Sequence, residues 1–182
     1  MAKLVSKVYG DALFETAMDR DKVDVLYEEA CALVPIFRDN PELTVLLTNP
    51  QIVKEEKVTI MHQIFSGKVT EELMGFLTII VEKDRQSEIL PIFEYFIQRV
   101  KDYKKIGAVY VTSAVELKDG QKANLEKKLL ETTAYVQFEM HYQVDPELMG
   151  GLVVRIGDHV VDSSLKTRLY ELKRELSRIQ LA

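Results

Sequence analysis

Residues 145–164 read DPELMGGLVVRIGDHVVDSS. Two adjacent glycines precede a β-branched run, a third glycine separates it from a second such run, and serines open a helix. A phosphate-cradling loop needs the order strand, glycines, helix, because the anion sits on the free amides of the helix N-terminus. Here Gly150 and Gly151 precede a strand and no GK[ST] follows. The order instead predicts a turn into LVVRI, a tight hairpin at Gly157-Asp158-His159, and a helix capped by Asp162, Ser163 and Ser164. The stretch is scaffold, and it marks the end of a small α/β unit.

Working upstream, AVYVTSAV at 108–115 alternates with period two and predicts a strand. LKDGQKANLEKKLLETTAY predicts a turn at Asp119-Gly120, then a helix carrying Leu125, Leu129 and Leu130. FEMHYQV at 138–144 predicts a further strand. Downstream, Leu165, Leu169, Leu172, Leu176 and Ile179 fall at offsets 0, 4, 7, 11 and 14, one apolar seam along the last helix. Five basic residues (Lys166, Arg168, Lys173, Arg174, Arg178) accompany that seam against two acidic ones (Glu171, Glu175). Such a surplus reads first as a solvated helix face and, as the alternative, as an electrostatic dock for an acidic or helical partner.

The character of the chain changes near Gly107. Before it, six helical segments follow one another with short breaks, which predicts a bundle over residues 1–105. They are 3–19, a second capped by Asp21 and running to about Phe37, a third with Asn40 before Pro41, and a fourth that repeats the device with Asn49 and Pro50. The fifth opens at Thr70 and ends near Lys83, and the sixth spans Ser87 to Lys105 with Pro91 in its first turn. The expected fold is therefore a six-helix bundle (1–105) followed by a small α/β domain (106–182).

Composition narrows the function classes. The chain has 182 residues, 47% hydrophobic and 29% charged, with a net charge of −5. A binder of nucleic-acid backbones needs a basic surplus, and none is present. One cysteine, Cys31, excludes an internal disulfide and reads as a buried structural thiol. The start MAKLVSKVYGDALFETAMD has no apolar leader core and carries Asp11, Glu15 and Asp19, against both a signal peptide and a transit peptide. The apolar run LMGFLTIIV, 73–81, is about half the roughly 18–20 residues that span a bilayer. His62, His141 and His159 stand too far apart for a metal motif, and no nucleophile signature appears. The acidic residues Asp145, Glu147, Asp158 and Asp162 read as turn and cap groups. No catalytic, metal or cofactor residue is assigned.

Two helices carry more apolar surface than a bundle position needs. Segment 3–19 presents Leu4, Val5, Val8, Tyr9, Ala12, Leu13, Phe14, Ala17 and Met18; segment 73–81 presents Leu73, Met74, Phe76, Leu77, Ile79, Ile80 and Val81. Either both are central to the core, or each lends a second face to a partner helix, with Tyr9 as an anchor.

Three motifs carry a family resemblance. DPELMGGLVVRIGDHVVDSSLKTRLYELKREL resembles the C-terminal signature of the δ subunit of F-type ATP synthases, the oligomycin-sensitivity-conferring protein of mitochondria, with Ser163 where that family often has glycine. YGDALFETA is similar to its N-terminal pattern, with Gly10 for the usual alanine, and FLTIIVEKDR resembles its fifth-helix segment. The resemblance spans essentially the whole chain. It implies a non-catalytic stator subunit of a proton-translocating ATP synthase, peripheral to the cytoplasmic face of a bacterial membrane. It implies that the bundle binds the N-terminal helix of an α subunit through Tyr9, Ala12, Leu13, Phe76, Ile79 and Ile80, and that the second domain binds the C-terminal ends of the b subunits. No cofactor is implied. The competing expectation is a cytoplasmic helical adaptor or regulatory module unrelated to ATP synthase.

Overall fold

A computed structural model describes the backbone of residues 2–179. Eight α-helices and a mixed four-stranded sheet are present among them. The chain divides into two compact units, Met1–Lys101 and Asp102–Ala182.

The first unit holds α1 (Ala2–Asp19), α2 (Val23–Asp39), α3 (Pro41–Thr48), α4 (Lys54–Phe65), α5 (Glu71–Glu82) and most of α6 (Ile89–Lys104), which a 3₁₀ turn at Gln86–Glu88 precedes. One core joins them: Leu13 and Ala17 of α1 meet Leu26 and Leu33 of α2, Met61 and Phe65 of α4, Leu77 and Ile80 of α5, and Phe93 and Phe96 of α6. Phe37 stacks on Phe65 at 5.9 Å between ring centroids and meets Phe93 at 6.3 Å. Full burial of each such ring contributes about 1.5–3 kcal/mol, which is why short helices of modest propensity hold here.

Several caps differ from the sequence expectation. Asp21 does not cap α2; it sits at φ 53° in the left-handed turn leaving α1, and Lys22 takes the N-cap position. The Lys22 N–H returns to the Ala17 carbonyl, so local closure of α1 consumes the residues that were expected to open α2. Asn40 does precede Pro41, yet its side-chain amide donates to Ile36 O at 2.9 Å and so closes α2. Asn49 accepts the Gln51 N–H, an Asx turn that uses up the cap, and α4 starts four residues later than Pro50, at Lys54. Cys31 is exposed rather than buried, because it lies on the outer side of α2, beside the buried Ala30.

In the second unit the chain leaves α6 through Lys105, at φ 55°, straight into β1 (Ile106–Ser113). The strand starts two residues earlier than the alternation suggested, since Gly107 tolerates the Phe138 and Tyr135 rings packed against its Cα. Asp119-Gly120 is not a turn but the first turn of α7 (Asp119–Thr132), where Gln121 Oε1 accepts the Lys118 N–H at 2.9 Å. β2 (Gln137–Val144) runs parallel to β1, while β3 (Leu152–Ile156) is antiparallel to β1 and pairs with β4 (His159–Asp162) across the Gly157-Asp158 hairpin. The strand order is β2-β1-β3-β4. Val109, Val111, Phe138 and Val154 form the buried layer of one face, which Leu125 and Leu129 of α7 cover. The other face shows Tyr110, Thr112, Gln143, Val153 and Arg155 around a concavity. α8 (Leu165–Ile179) follows β4.

Candidate partner-binding surfaces

One side of α1 is fixed by the core and by α6. Gly10 allows the Tyr95 ring to lie directly on the α1 backbone, where any Cβ would overlap it. The Tyr95 hydroxyl donates to Asp11 at 3.0 Å, Arg99 pairs with Asp11 at 3.6 Å, and the same guanidinium sits 5.3 Å from the centroid of Phe14. Ser6, Leu13 and Ala17 point into the core. About 100° per residue then places Leu4, Val8 and Ala12 on the opposite side, with Val5 and Tyr9 on the shoulder between. Leu4 is 67% exposed and Val8 58%, so α1 carries an apolar arc that nothing among the described residues of its own unit covers.

On α5, Leu73, Met74, Leu77, Ile80 and Val81 are buried. Thr70 caps the helix, accepting the Leu73 N–H, and Glu29 of α2 accepts both the N–H and the hydroxyl of Thr70 at 2.9 Å. Glu72 bonds Lys22 at 2.8 Å, and that cation holds its carboxyl below the usual range. With its N-terminus clamped, α5 presents Gly75 and the 48% exposed Ile79 outward. With Thr78 they line a groove of about 750 Å³ against His62, Ser66 and Gly67 at the end of α4. Apart from the neighbouring backbone of α5 itself, no heavy atom stands within 4 Å of where a Gly75 Cβ would be.

The six residues assigned from the resemblance thus separate. Ala12 and Ile79 are exposed, and Tyr9 and Phe76 are half-buried with one side on the core. Leu13 and Ile80 are fully buried, so they support the two faces from beneath and offer no surface. Leu4, Val8 and Gly75, outside that set of six, are exposed on the same two helices, and the i, i+4 spacing of Leu4, Val8 and Ala12 marks their row on α1 in the sequence.

The second unit offers α8. Ser164 Oγ accepts the Thr167 N–H at 3.3 Å; Asp162 accepts the Ser164 N–H at 2.8 Å and the Thr167 hydroxyl at 2.7 Å. These bonds hold the Asp162 carboxyl below its ordinary range. Leu165 N–H donates to Gly150 O, and Lys166 pairs with Glu147 at 3.2 Å. Past this root, Leu165, Leu169 and Leu172 are all exposed. Leu176 and Ile179, the rest of the seam, have side chains outside the described residues.

A family model described as ATP synthase delta (OSCP) subunit matches residues 5–176. The chain belongs to that family. A relative in Lachnoclostridium phytofermentans, named ATP synthase subunit delta, is 51% identical over 181 residues and covers 100% of both chains. One of the same name in Alkaliphilus oremlandii is 36% identical, over 98% of this chain and 99% of its own. The fold is also similar to a chain of the Toxoplasma gondii mitochondrial ATP synthase hexamer, with a TM-score of 0.67 at 18% identity over 94% of this chain and 96% of that one. The family's members span the helical unit and the sheet unit together, so both sets of exposed leucines and isoleucines are parts of one subunit. No helix among the described residues is long and apolar enough to cross a membrane.

Proposed function

We infer that the protein is a non-catalytic stator subunit of an ATP synthase, joining the catalytic head to the peripheral stalk. Family membership supplies that role, and the stator's duty is mechanical: the head must not turn with the central shaft. Contacts that resist torque need buried apolar area and slow dissociation, which helix-in-groove packing provides.

The first unit, as a six-helix bundle over residues 1–105, receives the N-terminal helix of an α subunit. The observation that carries this is the uncovered arc Leu4-Val8-Ala12 on a helix whose other side is locked to the core and to α6. Tyr9 and Phe76 form the shoulders of the site, and Ile79 beside Gly75 gives α5 a flat apolar strip against which a backbone can lie. The second unit, residues 106–182, takes the C-terminal ends of the b subunits along Leu165, Leu169 and Leu172, with the basic residues of α8 facing acidic ones. The subunit so assembled is peripheral, on the cytoplasmic face of the membrane.

Reconstitution with purified catalytic head tests the assignment. The full chain is expected to co-elute with the head on a sizing column. Tyr9→Ala is expected to weaken the complex and Ile79→Asp to abolish it, both with an unchanged far-UV spectrum. Co-elution of Ile79→Asp at wild-type affinity would remove α5 from the site.

A further inference from the structure

The open face of the sheet, turned away from α7, gathers polar side chains from all four strands. Strand register sets His141, Tyr110, Arg155 and Val160 in one row across it, and Gln143, Thr112, Val153 and Asp162 in the next. Side chains alternate along a strand, so both rows stand on the face opposite Val109, Val111 and Val154. Tyr110, Thr112, Gln143, Val153, Arg155 and Val160 line a concavity of about 420 Å³ there. His141 stacks on Tyr110 at 4.9 Å and fixes that ring at its rim.

The polar lining can donate at every position. The Tyr110 and Thr112 hydroxyls and the Gln143 amide have no hydrogen-bond partner among the described residues. Arg155 Nε donates to Gly157 O at 3.4 Å, which leaves the Nη1–Nη2 edge of the guanidinium uncommitted. No carboxylate is among the lining residues. Asp162, at the end of the second row, is held by the Ser164 N–H and the Thr167 hydroxyl. A permanent cation beside uncommitted donors selects an anion, and the two parallel N–H groups of a guanidinium edge match a carboxylate. Val153 and Val160 add an apolar wall, which a free phosphate leaves unused and an amino-acid side chain covers.

Location narrows the source of that carboxylate. Val153 pairs with Asp162, which caps α8, so the concavity adjoins the root of the helix that carries the exposed Leu165, Leu169 and Leu172. A chain that lies along those leucines and ends at the root of α8 brings its terminal carboxylate to Arg155. Capture of a chain terminus by convergent donors is a recurring mode of recognition.

We propose that Arg155 binds the C-terminal carboxylate of a stalk b subunit in the concavity of the open sheet face. The carboxylate takes Nη1 and Nη2, Thr112 and Gln143 bond the last peptide group, and the last side chain lies on Val153 and Val160. This rests on the reading that the second unit receives the C-terminal ends of the b subunits, and it names the group that fixes where the b chain stops.

The test titrates the full chain with the soluble portion of the b subunit, ending either in its free carboxylate or in an amide installed by ligation. Amidation removes the terminal charge and leaves every side chain in place, so it separates the terminus from internal acidic residues. The free acid is expected to bind wild type about tenfold more tightly than the amide, the loss of one charge-assisted pair. Arg155→Gln is expected to bind both forms alike, at the affinity of the amide. Arg155→Lys, with the charge but without the fork, is expected to recover only part of the preference. Should Arg155→Gln not fold, Thr112→Val removes a donor at a partly exposed position and is expected to narrow the preference. Equal binding of acid and amide by wild type overturns the proposal and leaves the stalk reading standing. Binding of neither form overturns both.

Discussion

Gly151 and Ser163 are in backbone contact: a Cβ on Gly151 would overlap the Ser163 carbonyl oxygen, and Gly151 itself stands at φ 78°. The neighbouring bonds follow the same seam, with Ser163 N–H on Leu152 O and Leu165 N–H on Gly150 O. The double glycine is thus the seat of the last helix. Its placement before a strand, which excluded a phosphate loop, is what lets it receive α8.

Gly151→Ala meets both obstacles at once, a left-handed backbone and a backbone clash. It is expected to destabilise the second unit by about 2 kcal/mol or more. Urea unfolding followed by far-UV circular dichroism checks this, and Gly157→Ala is the comparison, since it has positive φ but open space. Equal losses in the two variants would show that conformation alone matters and the Ser163 contact does not.

Gly10 and Gly75 are expected to respond in opposite ways. Gly10→Ala displaces the Tyr95 ring and is expected to cost about 1–3 kcal/mol. Gly75→Ala enters open space in an α-helix and is expected to stabilise the isolated chain by about 0.5–1 kcal/mol. If α5 docks a partner backbone at Gly75, that more stable variant binds the head more weakly. Thermal melts and head binding measured on the same variant separate the two effects.

Three carboxylates, Glu72, Asp84 and Asp162, have pKa values held below normal by bonds to Lys22, Lys54 and Thr167 respectively. A depressed folded-state value means that each contributes stability present above its unfolded pKa. That stability is lost as pH falls through the lower folded value. Stability is therefore expected to fall below about pH 4.5 as these groups protonate. Added salt should shrink the Glu72 and Asp84 contributions, which rest on ion pairs, and spare that of Asp162, which rests on neutral donors. Acid titrations of wild type, Glu72→Gln and Asp162→Asn at low and high salt check it: the stability lost in Glu72→Gln should shrink with added salt, and a loss that depends on salt for Asp162→Asn but not for Glu72→Gln would contradict the assignment.

Much of the fold was legible because its signals are local. Alternation in 108–115, the seam from Leu165 and the cap at Thr70 each depend on neighbours in sequence. Two misreadings share a cause: Asp21 and Asn49 each have a side chain or backbone fit for opening a helix, and each was taken instead by the element before it or by a turn, whereas Asn40 keeps its expected N-cap place before Pro41 while its side chain closes α2. Competition between two nearby orphan groups is decided by chain direction, which a residue's type does not encode. For the binding surface, apolar excess on α1 and α5 was visible, but it could not separate Leu13 and Ile80, beneath the faces, from Leu4 and Val8 upon them. That division depends on which side Tyr95 and Arg99 of α6 occupy, a long-range fact.

The most direct test of the stator account is calorimetric titration of the full chain with a peptide of the α subunit's N-terminal helix, using wild type and Val8→Asp. Calorimetry suits a chain without tryptophan. The account predicts saturable one-to-one binding with a negative heat-capacity change, lost in Val8→Asp while the fold is kept. Binding of equal affinity and heat capacity in both proteins would contradict it, because the peptide would then be held away from the exposed arc of α1.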